Sequence, residues 1–466
     1  MDFFAYLCTN QKLIVMKDMK IHPILDNQRA AVEDKLLASF FELDRWEHAL
    51  KKGSDKGMSP KVLRELSTAE GRVALYRAIL DHEYHIDMPR EQRIPKDTPG
   101  EYRNVYINSD EDRIVLSIAN DLLLDKMSDR IHPSCKSYQP GIGCGKVVKE
   151  VSKAIADKFG SEESGKVIGW KSDLSKYFDS VKIEYIDKAF DEVEERYGKS
   201  ALIDLLREYY HSEEYINHEG KLTREYKSLK QGCAVSAYLA NAVLHEVDEA
   251  LYSLKGYYVR YSDDMLYIGE DYEEAKSLMD VKLSEAGLRK NDKKFKYLTD
   301  NKWFNFLGFS IRGGSISISP HQVETFSHEI HERVFRRVSS QGGEGGKRHQ
   351  VKNPLRRVLK YLYVGDGEHS WATRILNCIN SQKDIDTLNT YILDCLRASE
   401  TGRRKLGGLQ YSPGQAGGCI VRTKGRHVRS NRRKTVKEVE GYLSLTCMRK
   451  ALLSSRPVYE ALVRGI

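Results

Sequence analysis

No apolar run in the 466-residue chain approaches the roughly 18 positions that a membrane-spanning helix needs. The eight cysteines form no C-x-x-C pair and show no histidine spacing of the zinc-site kind, which excludes a disulfide-stapled module and the common structural zinc folds. Met1 to Asn10 has an early Asp2 and no basic stretch leading into an apolar core and a small-residue cleavage site, so the expectation is a soluble cytoplasmic protein with reduced thiols. No fixed-period repeat is present, which excludes a solenoid. Acid is scarce at the end of the chain. Residues 401–466 carry 15 Lys/Arg against 3 Asp/Glu, a net of +12, whereas the whole chain carries +8, so residues 1–400 sum to −4. A concentrated cationic segment of this kind faces polyphosphate, and nucleic acid is the partner that charge alone favours.

Hydrophobic residues make up 40% of the chain and charged residues 30%, a balance that buries a core. At roughly 150 residues per domain the length suits two or three domains or one large enzyme core. From Ala30 to Leu80 apolar residues recur at helical spacing, with breaks around Gly53 and Gly57. Residues 91–118 read as a hairpin feeding a helix, and 147–159 as a helix after a Gly/Pro loop. Val167–Asp173 is a short apolar strand ending in acid, followed by one amphipathic helix over Ile183–Tyr209. Residues 231–254 read as a loop entering a helix, and 257–269 as a β-hairpin with Ser-Asp-Asp at its tip. A helix over Glu273–Ala286 and strands at Phe304–Ile311 and Ser315–Ile318 follow; beyond Pro320 strand signals fade and helices dominate. Strands alternating with helices, flanked by helical regions, predict an α+β enzyme core.

Most aspartates cap helices or close turns. Asp173 and the pair Asp263 and Asp264 differ, because each stands at the end of an apolar strand, the pair being framed by Val259, Tyr261, Met265, Leu266 and Ile268. Carboxylates gathered in a partly buried site repel one another, and divalent cations relieve that repulsion. Mg²⁺ takes one or two carboxylates and leaves its other positions to water and phosphates. Two such ions about 3.5–4 Å apart suit in-line phosphoryl displacement.

The blocks around these acids resemble those of a bacterial reverse transcriptase of the group II intron, retron and defence-associated kind. IPKDTPGEYRNVYINSDEDRIV (94–115) is similar to the fingers hairpin and SYQPGIGCGKVVKEV (137–151) to the loop and helix after it. DLSKYFDSV (173–181), QGCAVSAYLANAVL (231–244) and YSDD (261–264) resemble successive palm motifs, as do AGLRKNDKKF (286–295) and FNFLGFSI (304–311). The resemblance covers roughly residues 90–312, in family order. It implies a right-hand polymerase with a helical N-terminal extension (1–90), fingers (91–165), a palm of antiparallel sheet and helices (166–312), a helical thumb (313–400) and a basic C-terminal RNA-binding region (401–466).

The resemblance also implies roles. Asp173, Asp263 and Asp264 would be catalytic and hold two Mg²⁺ ions, for which Mn²⁺ can substitute. Phe178 would lie under the nucleotide sugar and exclude a 2′-hydroxyl, selecting dNTPs. Lys96 and Arg103 would clamp the triphosphate, the guanidinium fork pairing with phosphate oxygens two at a time. Gln231 and Gly232 would border the nucleotide, and Lys294, with Lys293 a competing assignment one residue away, would assist the leaving pyrophosphate. Tyr261, Leu307 and Gly308 would contact the primer, and Arg336, Arg337, Arg356 and Arg357 the duplex backbone. Arg426, Arg429, Arg432, Arg433 and Lys434 in the tail would hold a structured RNA. Ser262 stands where relatives commonly have Ala, and Ala237 where they often have Pro. No Cys/His endonuclease pattern and no late Val-Thr-Gly is present, which points to a stand-alone enzyme of antiphage defence copying a partner non-coding RNA into cDNA. An intron-type or retron-type reverse transcriptase or maturase, an RNA-directed RNA polymerase and an RNA-binding protein using the palm as a scaffold remain alternatives, and self-association of the chain is left open.

Overall fold

The computed structural model describes residues 34–96, 100–160, 164–335, 353–365, 370–404, 406–415, 417–423 and 439–466, with backbone alone at 338–339 and 348–349. Arg336, Arg337, Arg426, Arg429, Arg432, Arg433 and Lys434 lie outside the described residues. No helix among the described residues is long and apolar enough to cross a membrane.

The described residues divide into two compact units. The first draws on Met1–Pro140, Lys171–Tyr267 and Glu273–Phe295, the second on Gly141–Trp170, Ile268–Tyr272 and Lys296–Ile466. The first unit begins with four helices, Lys35–Phe40, Leu43–Asp55, Pro60–Ser67 and Ala69–Leu80. Phe40, Phe41 and Trp46 pack there with ring centroids 4.9–5.7 Å apart. Of the two breaks predicted, around Gly53 and Gly57, the structure has only the second, where Gly57 takes φ 72° after the helix ends at Asp55. Gly53 stays inside its helix because Met58 closes over it: a Cβ there would meet the Met58 Sδ at 2.9 Å.

Strands β1 (Arg90–Pro95) and β2 (Tyr102–Ile107) pair antiparallel from Arg90 opposite Ile107 to Pro95 opposite Tyr102. The predicted helix follows at Asp110–Lys126, its N-terminus capped by the Ser109 side chain and three acids filling the first turn. It buries Ile114, Val115, Leu116, Ile118, Leu122 and Leu123. Strand β3 (Val167–Asp173) ends on the predicted aspartate. The long helix expected over 183–209 is two helices, Ile183–Tyr197 and Ala201–His211. Gly198, with φ 86°, ends the first, and the Ser200 side chain caps the second. Strands β4 (Glu214–Ile216) and β5 (Leu222–Arg224) extend the first hairpin to a sheet ordered β2-β1-β4-β5. After the helices Ser236–Ala242 and His245–Tyr252 come β6 (Tyr257–Tyr261), β7 (Asp264–Ile268) and the helix Tyr272–Glu285. In their sheet the order runs β6-β7-β3, and β8 (Lys296–Thr299) belongs to the second unit.

In the second unit β9 (Phe304–Phe306), β10 (Phe309–Arg312) and β11 (Ser315–Ile318) form an antiparallel sheet. The helix Cys144–Phe159 buries Val147, Val148, Val151 and Ile155, and its Ser152 hydroxyl donates to the Gly313 carbonyl. The helices Pro320–Phe335, Gln382–Thr401, Leu445–Ser454 and Arg456–Arg464 enclose a core that includes Phe326, Trp371, Leu388, Ile392 and Met448. Within this mainly helical region, Leu409–Tyr411 and Ile420–Arg422 pair as two short strands. Asp384, fully buried, accepts from the amides of Cys419 and Ile420 and so ties the second of these to its helix.

Candidate active site

The acidic site is built inside the first unit. Asp173 is the last residue of β3, where the next residues leave the sheet: the Ser175 amide donates to Arg289, and Leu174 bridges Lys290. The Asn291 amide donates to the Asp173 carbonyl at 2.7 Å. These bonds fix the register of 289–294 along 173–175, and they bring the Lys294 ammonium to 2.8 Å from the Asp173 carboxylate. Lys294, and not Lys293, is the lysine the structure aims at the acids.

Asp263 lies in the turn between β6 and β7, and Asp264 opens β7. Burial, then the charge of Asp173, pushes the Asp263 carboxyl above its ordinary range, while Lys294 and Arg103 pull the other way. Asp264 is pushed up to about 6 by burial and by Asp263, with Lys171 opposing. The three predicted aspartates therefore feel one another, as do Lys294 and Arg103. For Lys294, burial works against the charged form but the bond and charge of Asp173 outweigh it, so its proton is held more tightly than usual.

Among the described residues no three His, Cys, Asp or Glu side chains form a ready-made metal cage. The donor chemistry nonetheless suits a magnesium-type ion: hard carboxylate oxygens, partly buried, in mutual repulsion that a backbone hydrogen bond, lysine and arginine offset. Asp173, Asp263 and Asp264 are the carboxylates that bring this donor chemistry.

Of the residues expected around a nucleotide, Lys294 and Arg103 act on this cluster, and the others are placed by contacts of their own. Phe178 is half-buried, its ring edge-on to Tyr177 at 5.6 Å. Its carbonyl accepts from the Leu229 amide, which brings the 229–232 loop beside it. The Gln231 carbonyl accepts from the Tyr106 amide of β2 at 2.7 Å. Gly232 has φ 109°, and a Cβ there would lie 2.5 Å from Val105 Cγ1, so only glycine fits against the strand. Lys96 is exposed and sits 3.6 Å from Glu101 across its own hairpin. Tyr261 ends β6. Leu307 and Gly308, with φ 49° and 82°, make the tight turn between β9 and β10 in the second unit. Arg356 and Arg357 belong to that unit too, Arg356 bonded to the Ile466 carbonyl and Arg357 lining a cavity of about 730 Å³ with Arg333, Lys360 and Arg374.

Three residues near the site went unnoticed in the sequence. The Tyr138 hydroxyl is 3.2 Å from the Ser262 hydroxyl. Arg260 is a buried guanidinium directly behind the acidic turn. Lys230 is buried just before Gln231, in a left-handed conformation (φ 46°), and donates to the carbonyls of Tyr209, Tyr210 and Ser212 at 2.8–3.4 Å. It lies over both tyrosine rings and caps the end of the Ala201–His211 helix. Burial pulls its ammonium down to about 8. The native chain thus releases this proton near pH 8, whereas the unfolded chain keeps it to about 10.4, so stability rises with pH between those values. Urea unfolding at pH 8 and pH 10 is expected to show the native protein gaining up to about 3 kcal/mol relative to Lys230→Met; an equal pH response of the two would refute it.

Residues 94–311 match the family model described as reverse transcriptase (RNA-dependent DNA polymerase). No curated protein matches the chain. Among solved structures, apo telomerase from Candida tropicalis truncated from its C-terminal domain is 13% identical, with 50% of this chain and 55% of that one covered and a TM-score of 0.38. Telomerase from Candida albicans in complex with a TWJ fragment of telomeric RNA is 12% identical over 68% of this chain and 59% of its own, with a TM-score of 0.40. Apo telomerase from Candida tropicalis is 11% identical over the same shares, with a TM-score of 0.43. The chain spans between 55% and 59% of the length of these telomerase chains.

Proposed function

We propose, from the premise that residues 94–311 are a reverse transcriptase domain and the chain an RNA-directed DNA polymerase, that Asp173, Asp263 and Asp264 carry the reaction and that it extends a primer with dNTPs on an RNA template. The observation that supports this most is the meeting of the β3 terminus with the β6–β7 turn, with Lys294 bonded to Asp173. Asp173 and Asp263 would hold two Mg²⁺ ions. Bound there, they would neutralise the triphosphate, activate the primer hydroxyl and stabilise the leaving oxygen. Lys294, kept protonated by the carboxylates, is the residue to give a proton or a positive charge to departing pyrophosphate. Arg103, close enough to lower Asp263, would take the triphosphate; Lys96, paired with Glu101 on an exposed hairpin, would have to leave that partner to join it. Gln231 and Gly232 would border the base. Tyr261, Leu307 and Gly308 would bear on the primer, and Arg356 and Arg357, with the basic tail, on RNA.

The division into N-terminal extension (1–90), fingers (91–165), palm (166–312), thumb (313–400) and RNA-binding tail (401–466) is part of this reading. So is a structured non-coding RNA as the template, in antiphage defence, with the +12 charge of residues 401–466 favouring the RNA partner. RNA copurified with the intact chain, and not with a variant carrying alanine at Arg426, Arg429, Arg432, Arg433 and Lys434, is the expected sequencing result.

Phe178 provides the direct test of sugar choice. Its ring meets Tyr177 edge-on and is only partly buried. Phe178→Ala is expected to raise ribonucleotide incorporation relative to dNTP incorporation by about tenfold or more, read from competing extensions of one primer on an RNA template. An unchanged ratio would remove Phe178 from this role.

A further inference from the structure

Behind the acidic turn lies a charge that the reaction above does not use. Arg260, near the end of β6, is fully buried, and so is Asp248 on the helix His245–Tyr252. A guanidinium does not lose its proton in a protein, so in a core it needs a counter-charge and an acceptor for each donor. Asp248 accepts from Nη2 at 2.6 Å and from Nε at 2.7 Å, and the Tyr258 hydroxyl donates to the same carboxylate at 2.9 Å. Nη2 also reaches the Asn241 carbonyl at 3.4 Å. The backbone of Arg260 is held as well, its amide donating to Ser134 and its carbonyl accepting from Lys136. Two other segments of the first unit thus hold the guanidinium, and a third, 134–136, holds the backbone of Arg260.

One donor remains, and it points forward. Nη1 donates to the Ser262 carbonyl at 3.0 Å. That carbonyl belongs to the peptide group whose nitrogen is the amide of Asp263. Ser262 itself has φ 58°, a left-handed conformation that residues with a Cβ adopt only when their surroundings hold them there. Fixing the 262–263 peptide plane fixes the direction in which the Asp263 side chain leaves the turn. A buried ion pair adds little net stability compared with apolar residues of the same size, so the geometric product of this pair is the bond to Ser262.

We infer that Arg260 is a positioning residue for the acidic turn, aiming Asp263 through the Ser262 carbonyl, with Asp248 as the counter-charge that allows a guanidinium to stand there. The inference rests on the reading of Asp263 as a metal-bearing carboxylate.

The double variant Arg260→Met/Asp248→Leu tests it, because it removes both buried charges together and leaves neither unpaired. Three quantities are read on the full chain: the urea unfolding midpoint, Mn²⁺ affinity from loss of the free-ion EPR signal, and kcat and KM for dNTP on a primed RNA. The expected result is a near-native midpoint, Mn²⁺ binding weakened about tenfold or more, and a fall in kcat of about ten- to a hundredfold with KM for dNTP little changed. A folded double variant with native Mn²⁺ affinity and kcat overturns the inference. Should the double variant not fold, Arg260→Lys decides: an ammonium can meet Asp248 but lacks the fork to span it and Ser262 together, so the same two losses are expected, and native values overturn the inference. Asp263→Asn serves as the control. If it remains active, the reading of the site has failed; if it is inactive while the double variant is normal, the inference alone has failed.

Discussion

Asp263→Asn is expected to lower dNTP incorporation on a primed RNA by on the order of a thousandfold, while the metal-free protein is expected to unfold at the same or a slightly higher urea concentration. Both halves follow from the position of Asp263. Its carboxylate is partly buried and faces Asp173, so the ionised form is costly to the fold, as its raised affinity for a proton records. Asparagine keeps the shape and removes the charge, which relieves the fold and takes away the donor the reaction needs. The pH response agrees in sign. Asp264, held up to about 6 against an unfolded value near 3.9, adds stability that is complete below the lower pH and is lost as pH rises through the higher. Primer extension within about tenfold of native for Asp263→Asn, a loss too small for a group at the reaction centre, would sink the assignment of the acidic turn.

Asp248→Ala is expected to destabilise the protein by about 3–5 kcal/mol, the largest effect on stability among the substitutions considered. The substitution strands the Arg260 guanidinium in a site with no exposure, and it orphans the Tyr258 hydroxyl in the same step. Replacing both charges, as in Arg260→Met/Asp248→Leu, is expected to cost less than about 1 kcal/mol or to stabilise. Urea unfolding of the two variants side by side is the measurement. Similar costs for both would mean that the pair is not the isolated buried couple that its contacts describe.

The acidic strand ends were legible in the sequence because their signals are local. An apolar run that stops on Asp173, and two alternating runs that bend at Ser262-Asp263, each state their geometry within a few residues. Lys294 was legible only to within one position, since register depends on the backbone bonds from 289–291 to 173–175, which no local pattern encodes. The Arg260–Asp248 pair joins a strand to a helix, yet it left a trace: Arg260 is the one charge in the run YYVRY (257–261), and a charge in an apolar strand calls for a buried partner. Lys230 left none, because its acceptors are main-chain carbonyls. The merged helix over 183–209 was a misreading of signals that are present, Gly198 as a stop and Ser200 as a start.

Two backbone bonds described above have a consequence for mutational scanning. The Phe178 carbonyl takes the Leu229 amide, and two residues later the Gln231 carbonyl takes the Tyr106 amide of β2. Main chain alone therefore links the segment after β3 to the first hairpin, so that a displacement of either end is passed on without any side chain as intermediary. Truncating side chains one at a time would leave this relay intact and invisible. Proline at position 106 or 229, which deletes the donor itself, is the substitution that cuts it.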